Sequence, residues 1–213
     1  MTHLRLEGAG EAAQRAALME IVRASPRLMA AFEAARDLDL PDWWIVSGAL
    51  YNQVWNALTG RPELYGVKDI DLFYFDPDTS WAAEDRVIRA ATARFPGEPP
   101  LEVRNQARVH LWYEQHFGRP CPAYRNSRQP IDHFACRTHC VGMKLLESGD
   151  FEIYAPYGLG DIFAFRLTPN PVMDNRATHE AKAARAVALW PELAVEPWPG
   201  LRGHAIASAA TPT

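Results

Sequence analysis

Asp69 and Asp71, in the string VKDIDLFYF, are separated by one residue. In an extended strand alternate side chains project from the same face, so the two carboxylates would stand side by side, with Ile70, Leu72 and Tyr74 turned the other way. Adjacent carboxylates resist joint ionisation unless a proton or a cation lies between them. Clustered oxygen donors of this kind suit Mg²⁺ or Mn²⁺, which keep several waters and take their remaining ligands from phosphate oxygens. Glu102, in LEVR, becomes the third member if that segment lies beside VKDIDLF. Ions held by such a group would polarise an α-phosphate, activate an attacking hydroxyl and neutralise departing pyrophosphate. An Asp-x-Asp pair also arises on any solvated strand face, so the elements around it must decide its meaning.

The run WWIVSG reads as a buried strand ending in a tight turn at Ser47-Gly48, and ALYNQVWNAL after it has Tyr51, Trp55 and Leu58 at helical spacing. A backbone without Cβ at Gly48 can turn sharply and approach a phosphate, towards which the following helix would aim free N–H groups; a simple turn glycine is the other reading. Asn52, one helical turn on, either faces the same cleft or lies on the helix surface. Lys68 should point away from Asp69 by strand parity. Arg104 would share the strand face of Glu102, and Asn105 could cap the next helix. Arg108 and His110 read as surface or packing residues, Trp112 and Tyr113 as core. Lys144, Lys182 and Arg185 could reach a triphosphate, although solvated charge is the simpler reading of each.

The elements that must position these residues form a mixed α+β pattern. Apolar residues at helical spacing between Glu11 and about Arg36 predict two helices broken at Ser25-Pro26, with Pro26 in the first turn of the second. Asp78, Thr79 and Ser80 offer caps for a helix over AAEDRVIRAATARF. Pro99-Pro100 introduces LEVR as a strand, and QARVHLWYEQHF follows as a helix. Residues 118–132 lack periodicity and read as a long surface loop. CVGMKLL and FEIYAP, joined by ESGD, predict a hairpin; GLGDIFAFRLTPNP predicts a short helix running into a Pro-bounded connection, and RATHEAKAARAVALW a final helix. The expected organisation is an N-terminal helical segment (1–40) packed on a core (41–170) with a small mixed or antiparallel sheet. A C-terminal helix and mobile tail (171–213) complete one compact domain.

The 213 residues, 48% hydrophobic with a formal net charge of −4, suit a globular domain without a broad basic field. A small substrate is favoured over extended nucleic acid. Three cysteines cannot all pair, and the first residues lack a secretory pattern, so a cytoplasmic setting is expected. No apolar run is long enough for a membrane span. His133, Cys136, His139 and Cys140 in DHFACRTHC superficially suggest zinc but lack a second, separated ligand pair. Oligomeric state is not readable from the sequence.

The strings SGALYNQVWNALTG, VKDIDLFYFD, LEVRNQARVHLWY and APYGLGDIFAFRLTPNP resemble a bacterial nucleotidyltransferase-like family of largely undefined activity. That family lies within the DNA-polymerase-β-like nucleotidyltransferase superfamily. The resemblance spans most of positions 43–190. It implies that Ser47 and Gly48 lie at the nucleotide-phosphate turn, that Asp69, Asp71 and Glu102 hold Mg²⁺ or Mn²⁺, and that Glu102 accepts the proton of the attacking hydroxyl. Asn52, Arg104 and Asn105 join the expected nucleotide-binding set. The implied reaction moves a nucleoside monophosphate from a nucleoside triphosphate to a hydroxyl-bearing or related small acceptor, releasing pyrophosphate. Ala49 stands where the superfamily commonly has a second Gly or Ser, and the Gly48–Asp69 gap is longer than in many members. The alternative is therefore a non-catalytic nucleotide- or metabolite-binding module on a degenerate fold.

Overall fold

The computed structural model describes residues 2–118 and 120–200. Two N-terminal helices, α1 (Glu11–Arg23) and α2 (Pro26–Asp37), meet at Ser25, with Pro26 in the first turn of the second. Its missing N–H is no loss there, since first-turn N–H groups have no partner within the helix. Strand β1 (Trp44–Val46) runs into α3 (Gly48–Thr59), which ends on left-handed Gly60. After a connecting loop come β2 (Ile70–Tyr74), α4 (Trp81–Arg94), β3 (Leu101–Asn105) and α5 (Val109–Phe117). Of the three caps expected for α4, Ser80 serves: its Oγ accepts from the Ala83 N–H at 3.2 Å. The short α6 (Gln129–Asp132) and a 3-10 turn (Arg137–His139) precede the hairpin β4 (Gly142–Leu145) and β5 (Phe151–Tyr154). The chain then forms α7 (Gly160–Phe163), β6 (Arg166–Leu167), α8 (Arg176–Leu189) and β7 (Ala194–Val195).

The main sheet has the order β3-β2-β1-β4-β5. Strands β2 and β3 are parallel, joined through α4, and the remaining pairs are antiparallel. Period-two alternation sorts its residues onto two faces. Ile45, Leu72, Val103 and Met143 share one face and form the main core with Leu18, Phe32, Leu50 and Val54 of the helices. Trp44, Val46 and Phe73 lie on the other and pack with Ile131, Phe134 and Cys140. Helix α8 belongs to the main core through Ala183 and Ala186, while Trp190 just beyond it packs edge-on against Trp55 at 5.4 Å between ring centroids. The stretch 118–132 differs from the surface loop expected, because Tyr124, Ser127, Pro130 and Ile131 are all buried. Its proline and polar content obscured two inward-facing apolar groups that periodicity alone does not detect. The small-residue tail AIASAATPT lies outside the described residues.

Candidate metal and nucleotide site

Because β2 and β3 are parallel and in register, Asp71 lies directly opposite Glu102. Asp69 sits immediately before β2, and ligand oxygens of all three residues come within 4.8 Å of one another. Among the described residues this is the group of His, Cys, Asp and Glu side chains that could hold a metal ion. All three are half-buried. Burial, then the charges of Asp69 and Glu102, push the Asp71 carboxyl up to about 7. Burial and Glu102 likewise raise Asp69. Lys182 and Arg185 offset part of this repulsion at Asp69. The donor set fits a divalent cation: hard oxygens crowded enough to repel one another gain most when a cation joins them. Arg104 already bonds Glu102 Oε1 at 2.6 Å, and the carboxylate has a second oxygen.

The turn beside this group is held in an unusual way. Ser47, not Gly48, takes the positive φ, at 58° with ψ −114°, while its N–H donates to the Val141 carbonyl at 2.8 Å. That conformation is sparsely populated by residues with a Cβ and stores strain where the strand hands over to the helix. Gly48 opens α3, and a Cβ built there would meet only Asn52 Nδ2 at 3.8 Å and the Tyr51 hydroxyl at 3.9 Å. Among the described residues nothing requires glycine at 48; its missing side chain leaves room in the cleft. Ala49, which departs from the superfamily pattern, is fully buried in the main core and does not line that cleft.

The cleft, about 420 Å³ of open space, is bounded by the Ser47–Gly48 turn, Tyr51, Asn52, Asp69, Asp71, Lys182 and Arg185. Asn52 is 7% exposed and lines the cleft, and its side-chain amide makes no hydrogen bond among the described residues. An amide that faces a cleft without a protein partner is free to bond a ligand or water. The loop leading to Asp69 is latched by buried polar groups of α3: Gln53 Oε1 accepts from the Leu64 N–H at 2.9 Å, and Asn56 Nδ2 donates to the Tyr65 carbonyl at 3.0 Å. Arg61 and Glu192 tie its start to the C-terminal region at 2.8 Å. The long Gly48–Asp69 gap is thus an anchored loop.

Several residues lie elsewhere than the sequence suggests. Asn105 alternates to the sheet face opposite Glu102, where Oδ1 accepts from the Asp76 and Ala107 N–H groups, both at 3.1 Å. Its Nδ2 donates to the Asp76 carbonyl at 2.9 Å. It ties the ends of β2 and β3 together and forms a turn ahead of α5, whose N-cap position belongs to Arg108. Lys68 precedes the strand, so parity does not govern it, and it lines the cleft. Lys182 and Arg185, one turn apart on α8, face the cleft as well; Arg185 Nη2 is held by the Gly66 carbonyl at 2.8 Å. Only the packing of α8, more than a hundred residues from Asp69, could reveal this. Lys144 instead lies over the Trp43 ring at 5.6 Å. Arg108 is mostly buried in an ion pair with Glu84. Trp112 and Tyr113 line a second pocket and do not belong to the core.

The His/Cys string is dispersed among other partners. Cys136 Sγ lies 3.0 Å from His179 Nδ1, His139 stacks on Tyr51 at 4.5 Å, and Cys140 contacts the Cys136 carbonyl at 3.3 Å. His133 Nδ1 pairs with the Tyr124 hydroxyl at 3.2 Å. Burial raises the Cys136 thiol to about 12, as for a packed thiol.

Comparison with known proteins gives this geometry a family. No helix among the described residues is long and apolar enough to cross a membrane. None of the curated proteins matches the chain. A solved structure described as a CCA-adding enzyme head domain, determined by NMR, matches with a TM-score of 0.71 and 30% identity, covering 85% of this chain and 95% of that one. A family model described as nucleotidyltransferase matches residues 33–195, spanning β1 through β7 and every residue of the carboxylate cleft. The chain belongs to that nucleotidyltransferase family.

Proposed function

We propose that the protein transfers a nucleoside monophosphate from a nucleoside triphosphate to the hydroxyl of a small acceptor, with release of pyrophosphate. Family and fold support nucleotidyl transfer in general. The observation that carries the reading is the meeting of Asp69, Asp71 and Glu102 within 4.8 Å, with Asp69 and Asp71 lining the Ser47–Gly48 cleft.

Asp69, Asp71 and Glu102 would hold Mg²⁺ or Mn²⁺. Bound there, the cation supplies charge neutralisation to the phosphate oxygens and lowers the pKa of the attacking hydroxyl. The chain's own residues do the rest. The N-terminal N–H groups of α3 and the open Cα of Gly48 receive phosphate oxygens, and Lys182 and Arg185 face them from α8. Asn52 donates to a sugar or phosphate oxygen. Glu102 takes the acceptor proton, while Arg104 orients its carboxylate. The net charge of −4 supports a small acceptor. The solved structure similar to this chain is named as part of a CCA-adding enzyme, so an RNA 3′ end belongs in the test.

The test is incubation with labelled nucleoside triphosphates, Mg²⁺ or Mn²⁺, a library of small alcohols and a set of short RNAs. Pyrophosphate release with label on a small acceptor is the expected result. Absence of nucleotide binding and of pyrophosphate release throughout would sink the proposal, and label appearing only on RNA would replace the acceptor class. Calorimetry on Asp69→Asn and Asp71→Asn adds a check: cation-dependent nucleotide binding should vanish in both.

A further inference from the structure

The β2–β3 ladder carries two successive rungs on the face of the carboxylates. The first is Asp71 opposite Glu102; the second is Phe73 opposite Arg104. At the strand rise, the second rung lies about 7 Å further along the sheet. The Ser47–Gly48 cleft lies at the other end, because β1 runs antiparallel to β2 and finishes where β2 begins. Two spaces therefore flank the carboxylates: the phosphate cleft before them and a second pocket beyond.

That second pocket takes Phe73 and Arg104 as its floor, and Trp112, Tyr113, Tyr124 and His133 among its walls. It offers about 710 Å³ of space, part of it open to solvent. Its character is opposite to that of the phosphate cleft: aromatic rings dominate, and polar groups are few. Arg104 links the pocket to the carboxylates, lining the pocket while bonding Glu102 at 2.6 Å. The His133 Nδ1 and Tyr124 hydroxyl pair, 3.2 Å apart, supplies polar atoms in the wall. Concave sites with mostly aromatic linings and a few placed polar groups select planar, ring-bearing ligands.

We propose that this pocket seats the acceptor, and that the acceptor is a small alcohol carrying an aromatic or heteroaromatic ring. The inference rests on the carboxylate reading above. With the ring over Phe73 and beside Trp112, a hydroxyl a few bonds away reaches the Asp71–Glu102 rung. The hydroxyl oxygen forms its bond to the α-phosphorus of the nucleoside triphosphate as the bond from that phosphorus to the pyrophosphate oxygen breaks. The electron pair leaves with pyrophosphate, and the hydroxyl proton passes to Glu102. A flexible polyol would leave the aromatic walls in contact with water.

Saturation-transfer NMR with 2-phenylethanol, uridine, glycerol and inositol tests the pocket without any nucleotide or cation. The two ring-bearing alcohols should bind and the polyols should not. Trp112→Ala, at a partly exposed helix position, and Phe73→Leu, which keeps an apolar side chain in its buried cluster, should each weaken ring binding about tenfold, as loss of an aromatic contact does. Both variants should bind Mn²⁺ as the wild type does by electron paramagnetic resonance. Equal binding of polyols, ring binding unchanged in both variants, or binding of a short single-stranded RNA with neither ring alcohol bound would each overturn the proposal. Failure of the wild type to bind Mn²⁺ while ring alcohols still bind would remove the metal reading and leave the ring site standing.

Discussion

Asp71 shows the conflict on which the site is built. Folding brings its carboxyl beside Asp69 and Glu102, and burial with like charge pushes it up to about 7, so the metal-free protein carries a repulsion that its cation would relieve. Asp71→Asn should raise the thermal midpoint of metal-free protein by a few degrees at pH 8 and abolish the stabilisation by Mn²⁺ that the proposed site predicts for the wild type. Its loss of metal affinity should exceed the about 10–100-fold that outer-shell partners cost. An unchanged Mn²⁺ response would exclude Asp71 as a ligand. His139 presents the complementary case. Buried against the Tyr51 ring, with Nδ1 unpaired among the described residues, it is held neutral, its pKa well below the usual 6.5. The unfolded chain takes up a proton there below about pH 6.5 and the folded chain does not, so stability is present above that pH and is lost as pH falls. His139→Phe keeps the stacked ring and should flatten the acid side of the midpoint-versus-pH curve; a slope identical to wild type would refute this role.

At the scale of elements, the β1–α3 junction and the polar side of α3 organise the cleft. Ser47 bears a strained backbone that glycine would adopt freely, so Ser47→Gly should stabilise the fold by about 1 kcal/mol in urea titration. The same change should weaken nucleotide binding if the Ser47 side chain contributes there. Asn56, fully buried, accepts from Trp190 Nε1 at 3.0 Å and donates to the Tyr65 carbonyl, joining α3 both to the loop that delivers Asp69 and to the C-terminal region. Asn56→Leu should cost about 1–3 kcal/mol for each group left unpaired. These elements were legible in the sequence to different depths. Pro26, the Tyr51–Trp55–Leu58 spacing and the hairpin around ESGD are local signals, and each corresponds to an observed element. Ser47 as the strained residue was not legible, since Ser-Gly offers an obvious glycine and the Val141 carbonyl that accepts from the Ser47 N–H lies far away in the sequence. Asp69 and Asp71 were readable as a pair from period two alone, yet Asp69 lies just outside the strand. The position of Glu102 beside them depends on a parallel register set by α4, which no local pattern encodes.

Across the whole molecule, the site is an arrangement of opposite charge held apart by the core. The sheet presents Asp71 and Glu102, with Asp69 just before β2; α8, docked through Ala183 and Ala186, presents Lys182 and Arg185 to the cleft that Asp69 and Asp71 line. The long separation along the chain explains why solvated charge was the simpler reading of both cations. A helix face is assigned by what it packs on, and α8 has too few large apolar residues to announce its buried side. This division of charge separates two kinds of binding. On the proposed function the carboxylates would attract a cation that α8 repels, whereas a triphosphate would be drawn to α8 and would need the cation to approach the carboxylates. Lys182→Ala should therefore weaken nucleoside triphosphate binding by about tenfold, the effect of losing one charge-assisted contact, while tightening Mn²⁺ binding slightly. Arg185→Ala should do the same with an added loss of loop order, because Arg185 also holds the Gly66 carbonyl. Calorimetric titration of each variant with Mn²⁺ alone, and then with a non-hydrolysable triphosphate in the presence of Mn²⁺, reads the two affinities separately. If Mn²⁺ binding weakens in parallel with nucleotide binding, the cations act by supporting the fold and not by facing the phosphates. If only nucleotide binding weakens, α8 is the wall that recognises the triphosphate.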